Sequence, residues 1–341
     1  MYNLWRGFGV RARPGKWDLF KNHIFEVIAD KDPAVHRYIM AWMAHLIQHP
    51  GGPRPGTSIV LRGKQGTGKG IFVNHFGKLL GPHYLQVFHQ SQITGKFNVH
   101  LKDALLVNAD EAFWAGDKKA EGVIKGLITE PMIPIEPKGK DVFYVKNLAR
   151  FVFTTNNVWA VPAGLEERRF FVLDVSDRHQ QDKSYFKPII EQLEHGGHEA
   201  MLFDLMHLDI SGVDLRKFPR TTALMDQIVS SMGPEQKFWY HKLREGSLSE
   251  SHDIWEEGIQ TKCLYDDYKR FAQDLGVKYH ADPSQFGKHL KALCPQMTRS
   301  KKKVWAPANE SKREPYYMFP PLEECRDMFE ELVGMSINWD E

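Results

Sequence analysis

This sequence is poor in the features that tie a chain to a membrane, a disulfide framework or a metal centre. Its three cysteines, Cys263, Cys294 and Cys325, are scattered through 341 residues without a Cys-x-x-Cys pair. That spacing excludes a zinc ribbon or a disulfide scaffold and implies free thiols in a reducing compartment. The histidines form no His-x-x-x-His or similar ligand set, so no zinc is expected. No run reaches the roughly 18 apolar residues of a membrane helix. The opening MYNLWRGFGVRARPGKWD has no apolar stretch behind its basic residues and is not a secretory signal. It reads as mid-protein sequence with a methionine in front, so a piece of a longer chain is expected. There is no internal repeat and no low-complexity tract. An excess of one charge is also missing: the formal net charge is +2, so contact with nucleic acid must come from local clusters rather than a global field.

What is present is globular, with 42% hydrophobic and 26% charged residues. The length suits a domain of about 150 residues with one or two smaller ones. Trp17, Phe20, Ile24, Val27 and Ile28, then Val35, Ile39, Trp42, Met43 and Leu46, recur at helical spacing, which predicts two amphipathic helices broken near Asp32-Pro33. The Pro/Gly-rich HPGGPRPGT closes this region, 1–56. Over 57–215 short apolar strands alternate with helical stretches: strands at 58–61, 85–88, 104–109, 151–155 and 170–175, helices at 69–80, 117–129 and 184–208. This predicts an α/β core with a mainly parallel sheet covered on both faces. Ile133 to Lys146, around the turn at Lys138-Gly139-Lys140, reads as a hairpin. Over 216–341 the character becomes helical, near 221–232, 234–244, 261–275 and 283–293, then basic and aromatic, a pattern that suggests a winged-helix-like domain.

The chemistry is concentrated in the middle region. Residues 63–70 read Gly-Lys-Gln-Gly-Thr-Gly-Lys-Gly, a G-x-x-x-x-G-K motif between an apolar strand and a helix. Gly63, Gly66 and Gly68 allow the tight turn, Gln65 and Thr67 contribute N–H groups, and the helix N-terminus adds partial positive charge for phosphate oxygens. Lys69 would reach the β- and γ-phosphates of ATP. Gly70 stands where the motif wants a Ser or Thr hydroxyl for Mg²⁺. A water in that position is tolerable, because Mg²⁺ keeps several. Further on, the strand Leu105-Leu106-Val107-Asn108-Ala109 delivers Asp110 and Glu111 at its carboxyl end, where open α/β sheets bind ligands. Asp110 would hold Mg²⁺ through water, and Glu111 would orient the attacking water. Two acids after a strand are by themselves common and usually cap the next helix. Asn156, after the strand 151–155, could hold that water or feel the γ-phosphate, the alternative being an Asn-rich turn. Arg168 and Arg169 precede the strand at Phe170. An arginine there can stabilise transition-state charge, often across a subunit boundary, or it can be half of a surface ion pair.

These four elements in this order, with the wording ITGKFNVHL, NADEAFWAGDKKAEG, KGLITEP and EERRFFVLDV, resemble the superfamily 3 helicases, the ring-forming AAA+ motors of small DNA viruses, phages and plasmids. The helicase part of phage and plasmid primase-helicases is most similar, and 57–210 carry the resemblance. It implies an AAA+ P-loop NTPase core, with Asn156 as sensor and Arg169 rather than Arg168 as arginine finger. The 133–146 hairpin would project into a ring channel, with Lys138 and Lys140 gripping the DNA backbone. The resemblance also implies that 1–56 match the oligomerisation collar, that the ring is a homohexamer, and that ATP and Mg²⁺ drive it along single-stranded and forked DNA. A primase or polymerase domain would lie upstream, and the location would be cytoplasmic, that of the host cell for a phage gene. Pro134 and Pro137 depart from an ideal ladder.

Arg299-Ser300-Lys301-Lys302-Lys303 is the strongest basic run, with Trp305, Tyr316 and Tyr317 nearby as stacking surfaces. A solvated charge run is the plain alternative. Two functional readings compete. One is a DNA-stimulated ATPase and helicase. The other is a nucleotide-gated DNA-binding scaffold that hydrolyses weakly because Gly70 removes a metal ligand. A small-molecule kinase explains neither the hairpin nor the basic C-terminal stretch.

Overall fold

The computed structural model describes residues 4–111, 118–249, 254–305 and 311–339. The chain divides into two compact units, Met1–Ala163 with Glu167–Gln227, and Gly164–Glu166 with Ile228–Glu341.

The first unit begins with α1 (Asp18–His23), which runs into a π-helical turn (Ile24–Ile28), and α2 (Pro33–Gln48). Asp32 explains the break between them: its carboxylate accepts from the N–H groups of Ala34 and Val35 at 2.7 and 3.1 Å, and Pro33 fills the first helical position. The core then reads β1 (Ser58–Arg62), α3 (Lys69–Lys78), β2 (Tyr84–Val87), α4 (Ser91–Thr94), β3 (Leu106–Asp110), α5 (Lys118–Thr129), β4 (Met132–Ile135), β5 (Phe143–Lys146), β6 (Arg150–Thr155), β7 (Phe170–Asp174), α6 (Lys183–Gln192), α7 (His198–His207) and α8 (Thr222–Ser231), whose last residues, from Ile228, belong to the second unit. Strands β2, β3, β6, β1 and β7 form, in that order, one fully parallel sheet. β1 and β6 are buried at every residue, which is why they read as continuous apolar runs rather than alternating ones.

Residues 4–56 pack into this same unit. Trp17, Phe20 and Trp42 are at most 1% exposed. The Tyr38 hydroxyl donates to Leu215 O at 2.7 Å and Gln48 Nε2 to Leu205 O at 2.8 Å. The helix expected over 184–208 is interrupted at His195 and Gly196, where φ of +100 at the glycine ends one helix before α7 starts. Gly77 lies flat on the Tyr84 ring: a Cβ there would stand 2.5 Å from Cγ. α3 therefore sits directly on β2, and the Tyr84 hydroxyl donates to Asn74 Oδ1 at 2.6 Å.

The second unit contains α9 (Pro234–Glu245), β8 (Gly258–Gln260), α10 (Thr261–Asp274), α11 (Pro283–Leu293), β9 (Thr298–Trp305), β10 (Ser311–Met318) and α12 (Leu322–Val333). Its sheet has the order β8-β10-β9, antiparallel throughout. Phe238, Tyr268 and Phe286 form its aromatic centre, with the Tyr268 and Phe286 rings stacked at 4.5 Å. Two of the scattered cysteines meet here, Cys294 Sγ and Cys325 Sγ standing 3.9 Å apart and buried. Among the described residues no helix is long and apolar enough to cross a membrane.

His23 and His75 of the first unit are buried and His45 is half-buried, and burial keeps all three neutral. Desolvation holds His23, His45 and His75 at about 4, with the Arg150 guanidinium adding to it for His45 and the Lys78 ammonium for His75. The unfolded chain binds more protons than the folded one between pH 6.5 and 4, so this stability is complete above pH 6.5 and is lost as pH falls through that window. Thermal unfolding followed from pH 7.5 to 4.5 should show a midpoint that falls steadily below pH 6.5. A midpoint flat to pH 5 would contradict the neutral buried histidines.

Candidate nucleotide site and nucleic-acid surfaces

Three neighbouring strands, β3, β6 and β1, run parallel and end side by side, with Asp110 opposite Thr154 and Arg62 opposite Thr155. Everything that leaves their carboxyl ends is brought to one edge. From β1 comes the glycine-rich loop. Gly63, Gly66 and Gly68 have φ of +156, +82 and +97, which glycine adopts without the Cβ penalty. Gly68 is the N-cap of α3, so the helix N-terminus and its unpaired N–H groups open into the loop. Thr67 Oγ1 closes the turn by donating to Lys64 O at 3.0 Å.

Lys69 is 8% exposed. Its ammonium donates to Gly63 O at 2.5 Å, Lys64 O at 2.8 Å and Asn156 Oδ1 at 3.0 Å. Burial pushes the ammonium below its ordinary value, against the pull of Glu111 and Asp110. The last contact joins the loop to the end of β6, so Lys69 and Asn156 are one cluster. From β3 come the carboxylates. Thr154 Oγ1 donates to Asp110 Oδ1 at 2.7 Å and Gln86 Nε2 to Oδ2 at 3.1 Å. Thr155 Oγ1 donates to Glu111 Oε2 at 2.9 Å and the Asn156 N–H to Oε1 at 2.7 Å. Glu111 is exposed and has φ of +50, a left-handed conformation that costs a non-glycine residue on the order of 1–3 kcal/mol. Lys69, Asp110, Glu111 and Asn156 are thus brought together. Thr154, Thr155 and Gln86, which orient the carboxylates, were missed in the sequence. The two threonines sat in plain view at the end of the strand, and their hydroxyls were the available signal.

The cluster can hold an anion on loop N–H groups and Lys69, and a hard cation beside Asp110. One oriented carboxylate suits a magnesium ion that keeps its own waters. Beside Gly70 the space is open, with nothing within 4 Å of where a Cβ would stand.

Arg169 is not brought to this edge. It precedes β7, and its carbonyl accepts from Ser58 N at 2.7 Å, at the amino ends of the strands. The loop edge is a strand length away, about 16 Å at 3.3 Å per residue. Arg169 is half-buried, its N–H donates to Glu167 Oε1, and its Nε makes no hydrogen bond. Arg168 is exposed.

The basic surfaces lie elsewhere. Strands β4 and β5 form an antiparallel hairpin, Ile135 opposite Phe143, with Pro134 opposite Tyr144. Lys138 and Lys140 are exposed in its loop on either side of Gly139 at φ +70. Asn98 pins the hairpin, its Nδ2 donating to Pro134 O and its Oδ1 accepting from Glu136 N at 2.8 and 2.9 Å. In the second unit Lys301, Lys302 and Lys303 are exposed on β9. Lys302 Nζ lies 5.2 Å from the Tyr316 ring centre and the Arg299 guanidinium 5.3 Å from that of Tyr317. Tyr317 is 3% exposed, because alternation along β10 turns it inward, and it offers no free stacking face. The Trp305 side chain lies outside the described residues.

Three comparisons with known proteins bear on this chain. A model of a family of unknown function, DUF5906, matches residues 61–169, the span from the loop to Arg169. Over 164 residues the chain is 26% identical to the DNA primase-polymerase of Nitratiruptor phage NrS-1, an alignment that covers 47% of this chain and 22% of that protein. The matched stretch therefore spans about a fifth of that relative's length. Solved apo structures of the NrS-1 C-terminal region superimpose with TM-scores of 0.67 and 0.66, at 16% and 17% identity, over 89% and 91% of this chain and 76% and 77% of theirs. The mixed α/β fold with a parallel central sheet is the fold of that phage protein region.

Proposed function

We propose that this chain is the ATP-driven DNA motor of a phage or plasmid replication protein, an AAA+ core of the superfamily 3 helicase type. The observation that carries the reading is the meeting of Lys69, Asp110, Glu111 and Asn156 at one edge of a parallel sheet, with hydroxyls of β6 aiming both carboxylates. The relative from phage NrS-1, a primase-polymerase, supports a setting in phage DNA replication.

In this reading the loop from Gly63 to Gly70, with Gln65, Gly66, Thr67 and Gly68, cradles the phosphates of ATP. Lys69 neutralises charge between the β- and γ-phosphates, and burial keeps it in place. Asp110 would hold Mg²⁺ through water, and the metal would supply charge neutralisation on the phosphates. Glu111, fixed by Thr155 and the Asn156 N–H, orients the attacking water, and Asn156 faces the γ-phosphate. Phosphoryl transfer asks mainly for positioning and electrostatics, which such a rigid set provides. Arg169, at the opposite edge, serves as the finger for the site of a neighbouring copy, which makes a ring, a hexamer by family resemblance, part of the mechanism. Residues 1–56 would contribute to assembly. Lys138 and Lys140 would hold the phosphate backbone of single-stranded DNA. Residues 228–341, with three helices before a β-hairpin, fit a winged helix whose Lys301, Lys302 and Lys303 meet DNA, including the forked duplex. A primase or polymerase domain upstream completes the proposed protein.

Gly70 favours a second reading, a scaffold that binds nucleotide and DNA but turns over slowly. The open space beside it accommodates serine. A large gain of turnover in Gly70→Ser would favour the scaffold, and little change would favour a competent native site.

ATP hydrolysis with Mg²⁺ should rise when single-stranded DNA is added and fall at least about 100-fold in Lys69→Ala. Absence of hydrolysis in the wild type, with DNA present, would sink the motor. Mixing Lys69→Ala with Arg169→Ala, each inactive alone, should restore part of the activity, since a copy with an intact loop then borrows an intact arginine from its neighbour. Failure of the mixture to recover activity would place Arg169 outside the reaction.

A further inference from the structure

The glycine-rich loop is gripped from outside the strand and helix that carry it. Gln181 N donates to Gly66 O and Gln180 Nε2 to Gln65 O, both at 2.9 Å, and Lys64 pairs with Asp177 at 2.7 Å. Over Gly68 the fit is closer: a Cβ would stand 2.5 Å from His23 Cε1 and 2.9 Å from Phe186 Cε1. Behind these two rings stands Tyr185, with ring centres 5.8 Å from His23 and 5.1 Å from Phe186. Its hydroxyl lies 3.3 Å from His23 Nδ1. His23 is fully buried, with its Nε2 on the Gly68 side. On Tyr185 lies the His179 imidazole, parallel within 1° at 3.7 Å, with its side chain 23% exposed.

None of these groups is needed to cradle phosphates, for which the loop N–H groups and Lys69 suffice. A loop that holds a triphosphate leaves the nucleoside projecting from it, and the segments flanking Gly66 and Gly68 supply aromatic rings. His179 and Tyr185 are half-buried, so their stack stays open to a ring arriving from solvent. A parallel stack at van der Waals spacing is also a geometry that one more flat ring can extend.

We propose that the half-buried His179–Tyr185 stack, seated on His23 and Phe186 beside Gly68, is the platform on which the base of a nucleoside triphosphate lies, with purines favoured over pyrimidines. The inference rests on the nucleotide reading of the loop. The Tyr185 hydroxyl is engaged with His23, so the platform offers ring faces rather than a hydrogen-bond code. ATP and GTP are then bound alike, and CTP, with its smaller ring, less well. The His23 ring packs against Tyr185 and backs it against the loop, a contact that Tyr185→Phe retains.

The test is calorimetric titration of the full chain with ATP, CTP and inorganic tripolyphosphate, for the wild type, Tyr185→Ala and Tyr185→Phe. Base stacking of this kind predicts that Tyr185→Ala weakens ATP binding about tenfold, leaves tripolyphosphate within about twofold, and that Tyr185→Phe keeps ATP affinity. His179→Ala, which removes the outer ring of the stack, gives the same contrast if Tyr185→Ala melts early. Unchanged ATP affinity in a folded variant, or equal losses for ATP and tripolyphosphate, overturns the platform. A wild type that binds neither overturns the nucleotide reading itself, and this inference with it.

Discussion

The edge of a parallel sheet is the constraint on which the rest of this structure depends. Strands β3, β6 and β1 are buried over nearly their whole length, so their backbones are satisfied by each other and their polar side chains have one place to go, the carboxyl ends. Pairing Asp110 with Thr154 and Arg62 with Thr155 then decides which groups meet. The central strand β6 gives one hydroxyl to each carboxylate, while the residue after it, Asn156, bridges Glu111 and Lys69. Shifting the register of β6 by one residue would turn Thr154 and Thr155 to opposite faces and leave both carboxylates unoriented.

The sequence showed the local half of this arrangement and little of the global half. The loop at Gly63 to Gly70, the acids at Asp110 and Glu111 and the apolar strands are legible because each is a short-range pattern with a fixed chemical meaning. The hairpin around Lys138 to Lys140 is legible for the same reason, and Asn98, which secures it from far upstream in the chain, is not. His23 shows the limit most clearly. It sits in an amphipathic helix whose period marks only one face as buried, and nothing local says that this face closes on Gly68. The Gly196 break between α6 and α7 was hidden by apolar residues that keep helical spacing across it. The inward turn of Tyr317 is set by strand alternation, which needs the hairpin register before it can be read.

Arg169 comes just before β7, and Lys69 opens α3 beyond the carboxyl end of the adjacent strand β1, so the two stand at opposite edges of the sheet. Their separation is the length of the sheet, and no rotamer of one long side chain removes it. A single chain therefore presents a loop edge and an arginine edge that do not meet within it. Arg169 Nε, buried without a partner, is an unusual state for a guanidinium nitrogen, since an unsatisfied buried donor is costly.

Gly77 and Gly68 stand near the two ends of the helix that carries Lys69. At one, the Tyr84 ring lies where a side chain would begin. At the other, His23 and Phe186 do. The helix is fitted with no clearance at either end, like a shaft between two bearings. Substitutions that add a single carbon at either point act on the attitude of the whole rod, and so on where it presents Lys69.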